Sequence, residues 1–212
     1  MINEAKFSNF TKESCYWAGY LAADGCVKYN HQTLSAISVK SNDKDIIQNL
    51  ALYMEATNKI GFYNNKYYQL QVFSPTTVLN LQRLWNISPR KSLSYTYPTQ
   101  MPDEYFYPYL RGYNDGDGSF YLRWSSPSDR IMRFTWTLLS GSASWVQTIK
   151  HKLNDIGGKI RHNSGVYMFD IGLRDAKKYL PLMYKDSTER TRLFRKYELY
   201  RNTIEIDNRP RR

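Results

Sequence analysis

The chain has 212 residues, 42% of them hydrophobic, enough to bury two small cores or one continuous one. Thirty Lys and Arg against 19 Asp and Glu give a formal charge of +11, which favours a phosphate-rich partner whose binding salt would weaken. No stretch approaches the roughly 20 apolar residues that cross a bilayer. Met1 to Lys6 lack the apolar run of a secretory signal, so the expected location is intracellular and cytoplasmic, with an organelle as the alternative. Cys15 and Cys26 form no C-x-x-C pair, and His31, His151 and His162 are scattered, which argues against a zinc site and a histidine-based nuclease. Most of the 19 tyrosines read as packing residues.

In chain order, Phe10 to Asp24 reads as a helix, and Cys26 to Asn30 with Thr33 to Lys40 as a hairpin turning near His31 and Gln32. Asp43 is placed to cap a second helix with Ile46, Ile47, Leu50 and Met54 on one face. Lys59 to Tyr63 and Tyr67 to Phe73 form a second hairpin across Asn64 to Lys66, and Pro75 opens a third helix to about Trp85. Pro89, Pro98 and Pro102 mark residues 86–102 as an ordered linker, with the alternation of Leu93, Tyr95 and Tyr97 suggesting an extended segment. The order then repeats. A helix from Asp103 to Asp117 is followed by strands near Phe120 to Trp124 and Arg133 to Leu139, and by a helix from Ser142 to Ile156. Strands near Lys159 to His162 and Val166 to Ile171 meet at Ser164 and Gly165, and helices close the chain over Arg174 to Tyr184 and Thr188 to Tyr200. The fold class is α+β: two pseudo-symmetric αββαββα half-domains, 1–85 and 103–212, each with a four-stranded antiparallel, saddle-shaped sheet, joined through a pair of motif helices.

Those helices carry the motif. Trp17 to Gly25 (WAGYLAADG) and Leu110 to Gly118 (LRGYNDGDG) are versions of one another. Small residues four apart, Gly19 with Ala23 and Gly112 with Gly116, give each helix a smooth stripe on which two backbones can pack. Each segment ends in an acid followed by glycine, which suits a helix stopped by a left-handed residue. A carboxylate at a helix C-terminus is electrostatically disfavoured unless a cation joins it, and a divalent metal would supply one. The acids lie 93 residues apart, from 24 to 117, room for one small αβ half after each helix.

This pair resembles the signature of LAGLIDADG homing endonucleases of the single-chain, two-motif kind, and the Pro89 to Ser92 run is similar to their linkers. The resemblance implies a site-specific, metal-dependent endonuclease that cuts both strands of duplex DNA at a long asymmetric site and leaves short 3′ overhangs. Asp24 and Asp117 would bind Mg²⁺, or Mn²⁺ or Ca²⁺ in its place, helped by the carbonyls of Ala23 and Gly116. A lysine near each site is implied as well, with Lys91, Lys196 and Lys40 as candidates. Asp115 precedes Asp117 by two, where the first motif has Ala22, so the sites would be unequal. The open sheet faces suit a major groove, and strand alternation points Lys28, Asn30, Gln69, Gln71, Tyr121, Arg123, Arg133, Thr135, Thr137, Arg161 and Asn163 outward. The chain would act as a monomer built like a dimer. Intron RNA binding as a maturase and non-cutting DNA regulation are the rivals; an intein is disfavoured, since the chain starts with Met1 and Ile2 and has no splicing segments.

Overall fold

A computed structural model describes residues 2–28, 35–124, 132–154 and 156–207. The first motif helix, α1 (Lys12–Asp24), begins where Thr11 and Ser14 cap each other, the Thr11 side chain accepting from Ser14 N at 3.0 Å and Ser14 Oγ from Thr11 N at 2.8 Å. That reciprocal cap, not the apolar pattern, sets the start two residues later than Phe10. Every residue from Ser14 to Ala22 is buried, so α1 lies inside the molecule.

Two strands, β1 (Gly25–Lys28) and β2 (Ala36–Ser41), follow, then α2 (Lys44–Tyr53), β3 (Gly61–Tyr63), β4 (Tyr67–Phe73) and α3 (Pro75–Trp85). The predicted turn at His31 and Gln32 lies outside the described residues. The strands form one antiparallel sheet, ordered β1-β2-β4-β3, with α2 and α3 over one face. Pro75 sits in the first turn of α3 and Ser74 caps it by accepting from Thr77 N, so that helix has the expected bounds.

The second half repeats the plan: α4 (Phe106–Asp117), β5 (Gly118–Trp124), β6 (Met132–Ser140), α5 (Ala143–Lys152), β7 (Lys159–Asn163), β8 (Val166–Gly172), α6 (Leu173–Tyr184) and α7 (Phe194–Asp207). Its sheet is ordered β5-β6-β8-β7 with α5 and α6 on one face. The registers match as well, Gly25 facing Val39 as Gly118 faces Leu138. Several predicted bounds shift. Residues 103–105 form a 3₁₀ turn ahead of α4, α5 ends at Lys152 rather than Ile156, and the last predicted helix divides into a 3₁₀ turn (Glu189–Thr191) and α7.

One hydrophobic core runs through both halves, with Trp17, Trp85, Trp136 and Trp145 fully buried in it. Residues 86–102 are laid against it but are not extended throughout. Lys91–Leu93 is a 3₁₀ turn that leaves Leu93 75% exposed, whereas Tyr95 and Tyr97 are buried and Tyr95 Oη lies 2.7 Å from Tyr109 Oη. No helix among the described residues is long and apolar enough to cross a membrane.

Candidate active site and nucleic-acid interface

The two motif helices pack backbone to backbone with their C-terminal ends together. A Cβ on Gly19 would strike the Tyr109 carbonyl and Tyr113 N; one on Gly112 would strike the Tyr16 carbonyl and Tyr20 N. At the ends, a Cβ on Gly116 would strike the Ala23 side chain and lie 3.4 Å from Asp24 Cγ. The glycines after the acids are not left-handed: Gly25 (φ −75°, ψ 141°) and Gly118 (φ −94°, ψ 160°) are extended. They are glycines because a side chain would collide with the last helical turn, 2.8 Å from Leu21 Cα and 2.6 Å from the Asn114 carbonyl.

Asp24 and Asp117 are thereby brought side by side. Desolvation and the Asp117 carboxylate push Asp24 up to about 6, and desolvation raises Asp117. Two lysines oppose the shift. Lys91 is buried and donates to the carbonyls of Gly25 at 2.7 Å and Ala23 at 3.5 Å, at the end of α1. Lys196 is equally buried and donates to those of Asn114 at 2.6 Å, Asp115 at 2.7 Å and Gly116 at 3.3 Å, at the end of α4. Each lysine answers a negative helix end, yet the cation felt most by Asp24 is Lys196 and by Asp117 is Lys91, so the four groups form a cross-braced cluster. Burial lowers both ammonium pKa values, that of Lys196 to about 8.

No group of three or more His, Cys, Asp or Glu suited to a metal occurs among the described residues. The donors present are the two carboxylates and the carbonyls of Ala23 and Gly116, which receive only the longer of the lysine bonds. Adjacent carboxylates, both raised by desolvation, and a purely oxygen donor set fit a hard divalent cation. Asp115 does not join them. It is 2% exposed, its Oδ2 accepting from Tyr16 Oη at 2.9 Å and Leu193 N at 2.8 Å, and it bears on the carboxylate pair through Lys196, whose ammonium it supports more than any other charge. Lys40 is exposed beside Asp24 in a cleft that Asp43 and Arg195 also line.

The uncovered sheet faces carry the residues that alternation assigned to them. Leu70 and Val72 point into the core while Gln69 and Gln71 face out; Phe120, Phe134 and Trp136 are buried while Tyr121, Arg123 and Arg133 are exposed and Thr135 and Thr137 half-buried. Lys28, Arg161 and Asn163 are exposed, and Asn30 lies outside the described residues. Some are already oriented. Gln69 Nε2 donates to Ser38 Oγ at 2.9 Å, and Asp170 receives Thr137 Oγ1 at 2.7 Å and Arg161 at 2.6 Å, tying three strands together. Asp170, an acid amid a basic face, was missed from the sequence, although its place beside buried Phe169 and Ile171 puts it outward by alternation.

By family model, residues 12–69 match the LAGLIDADG-like domain. The chain is similar in structure to the LAGLIDADG meganuclease I-AabMI bound to uncleaved DNA, at TM-score 0.66 and 13% identity over 94% of this chain and 91% of that one. The chain has the two-helix LAGLIDADG fold. It is similar also to the LAGLIDADG homing endonuclease I-GzeII in complex with its DNA target (TM-score 0.63, 14% identity, 93% and 90% covered). A third similar structure is I-SmaMI bound to uncleaved DNA in the presence of calcium ions (TM-score 0.62, 13% identity, 93% and 90% covered). No curated protein matches the chain by sequence. The matched LAGLIDADG segment ends at Gln69, so the second motif is carried by its own pattern, by the register of β5 on β6, and by the packing of Gly112 on α1.

Proposed function

We propose that the chain is a homing endonuclease, hydrolysing phosphodiester bonds in both strands of duplex DNA at a long asymmetric site and leaving short 3′ overhangs. The observation that carries this reading is the cluster of Asp24, Asp117, Lys91 and Lys196 between two outward-facing polar sheets. Divalent ions, Mg²⁺ first among them, would be held by Asp24 and Asp117 with the Ala23 and Gly116 carbonyls, and would supply activation of water and stabilisation of phosphate charge. Lys91 and Lys196 keep those carboxylates ionised at neutral pH and present positive charge to the scissile phosphates. Water adds to phosphorus, the bond to the 3′ oxygen breaks, and that oxygen leaves as a hydroxyl opposite a 5′ phosphate.

Base reading falls to the open faces. Arg123, Arg133 and Arg161 are the guanine-type readers, Gln69 and Gln71 the adenine-type readers, and Tyr121, Thr135 and Thr137 adaptable contacts, with Lys28 and Asn163 toward the backbone or bases. The halves differ outside the motif, which supports an asymmetric target read by a monomer.

The test is Mg²⁺-dependent cleavage of a randomised duplex library by the wild type, Asp24→Asn and Asp117→Asn, with sequencing of the cut ends. Cleavage at one long asymmetric site, lost in both variants, is expected. Tight duplex binding without cleavage under any divalent ion would replace this reading with a regulator, and preference for structured RNA would replace it with a maturase.

A further inference from the structure

The shared registers let the two candidate sites be compared residue by residue. Ser41 and Ser140 occupy matching positions, each accepting the N–H two residues on, from Asp43 and Ser142. Tyr20 and Tyr113 lie beside those serines, Tyr113 Oη donating to the Leu139 carbonyl at 3.1 Å. One residue earlier the match fails: Lys40 faces Gln69 across β2 and β4, whereas its counterpart Leu139 faces Met168 across β6 and β8.

The surroundings differ to the same effect. Lys40 shares a cleft of about 310 Å³ with Asp24, Asp43, Tyr67 and Arg195. Its Nζ lies 4.9 Å from the centre of the Tyr67 ring, which holds the ammonium in place, and it has no carboxylate partner among the described residues. Arg195 reaches this cleft from the second half, but Asp43 at 3.0 Å offsets its charge, so Lys40 is the added net cation beside Asp24. At the other site Gly141, following Ser140, is covered by the Ser92 carbonyl and the Leu93 side chain, and the position of Lys40 is a half-buried leucine.

We propose that Lys40 is a phosphate-contacting residue of the Asp24 site alone, and that the strand presented there is cut first, the second cut following through a nicked duplex. This rests on the endonuclease reading. An ammonium aimed at a phosphate stabilises the charge that develops during hydrolysis, and a leucine at the matching place supplies none of that stabilisation. Asp24 and Asp117 with Lys91 and Lys196 are common to both sites, and the order rests on the Lys40 and Leu139 pair as a difference in net charge beside the two acids.

The experiment is single-turnover cleavage in Mg²⁺ of a target duplex with the two strands separately labelled, using the wild type, Lys40→Leu and Leu139→Lys. One strand is expected to be cut roughly tenfold faster by the wild type, with nicked duplex accumulating. Lys40→Leu should slow that strand and leave the other within about twofold, while Leu139→Lys should speed the slower strand, a gain that misfolding cannot produce. Equal strand rates in the wild type, or equal slowing of both strands by Lys40→Leu, would overturn the assignment while leaving the endonuclease reading intact. Cleavage of no duplex by the wild type would remove that reading, and this inference with it.

Discussion

Asp24 is kept in a form that its surroundings oppose, since burial and Asp117 raise its pKa to about 6 against roughly 4 in an unfolded chain. A carboxyl whose folded pKa lies above its unfolded one stabilises the fold below about pH 4 and loses that contribution as pH rises through 6. Without divalent ions, Asp24→Asn should therefore stabilise the protein at pH 7 by about 1 kcal/mol, a figure discounted for the carboxylate's open edge. The gain should vanish near pH 4. Denaturant unfolding in chelator at the two pH values checks this, and equal stability of variant and wild type at pH 7 would refute it. Asp115 has a similarly raised pKa of about 6, from desolvation inside the core with no second carboxylate adding to it. Its Oδ2 satisfies Tyr16 Oη and Leu193 N, so Asp115→Ala should cost about 2 to 3 kcal/mol by leaving both donors unpaired. Asp115→Asn keeps an acceptor there, so it should fold, but it removes the carboxylate that most supports the Lys196 ammonium and should shift the pH–rate profile of cleavage; a well-folded Asp115→Asn with the wild-type profile would show that this acid does not tune Lys196.

At the scale of elements, the motif helices depend on the absence of two side chains. Gly19→Ala or Gly112→Ala would drive a methyl into the facing backbone, and neither helix can yield because both are buried among the core aromatics. Each should cost about 3 kcal/mol, whereas Ala18→Gly on α1 should cost about 2 from helix propensity and one lost buried methyl; thermal melts that rank these the other way would refute the close-packing account. Elements whose start, stop and pattern are all local were legible in the sequence: α3 from Pro75, and β4 from its alternation into Leu70 and Val72. Lys91 and Lys196 were found through a family resemblance, because what places them is a set of carbonyls 66 and 80 to 82 residues away. The extended conformations of Gly25 and Gly118 were not legible, since what forbids a Cβ there is the preceding helical turn in three dimensions. Nor was the pairing of Arg195 with Asp43 across 152 residues, which follows from the turn at Glu189–Thr191, just before α7, packing on α1 and α2.

At the scale of the molecule, a charge of +11 must be reconciled with a site built around two carboxylates. The basic excess resides on the surface, at Lys28, Arg123 and Arg133 on the strands of the open faces, while the acids sit where two buried lysines hold them. Phosphate attraction therefore comes from groups separate from the chemistry, and binding and cutting should respond differently to solution conditions. If the two sheets together neutralise 6 to 10 phosphates, affinity for a duplex should fall on the order of a thousandfold or more between 50 and 200 mM salt. The same rise should leave the single-turnover rate of the bound complex changed by less than about threefold, because Lys91 and Lys196 are buried beyond the reach of screening ions. Arg133→Ala should reduce the salt slope by about one, with little effect on that bound rate, whereas Lys196→Ala should leave the slope unchanged and lower the bound rate by two orders of magnitude or more. Titration of labelled duplex across salt, paired with cleavage at saturating protein, separates the two. A slope that responds to Lys196→Ala as strongly as to Arg133→Ala would mean that the buried lysines are part of the electrostatic footprint rather than of the site.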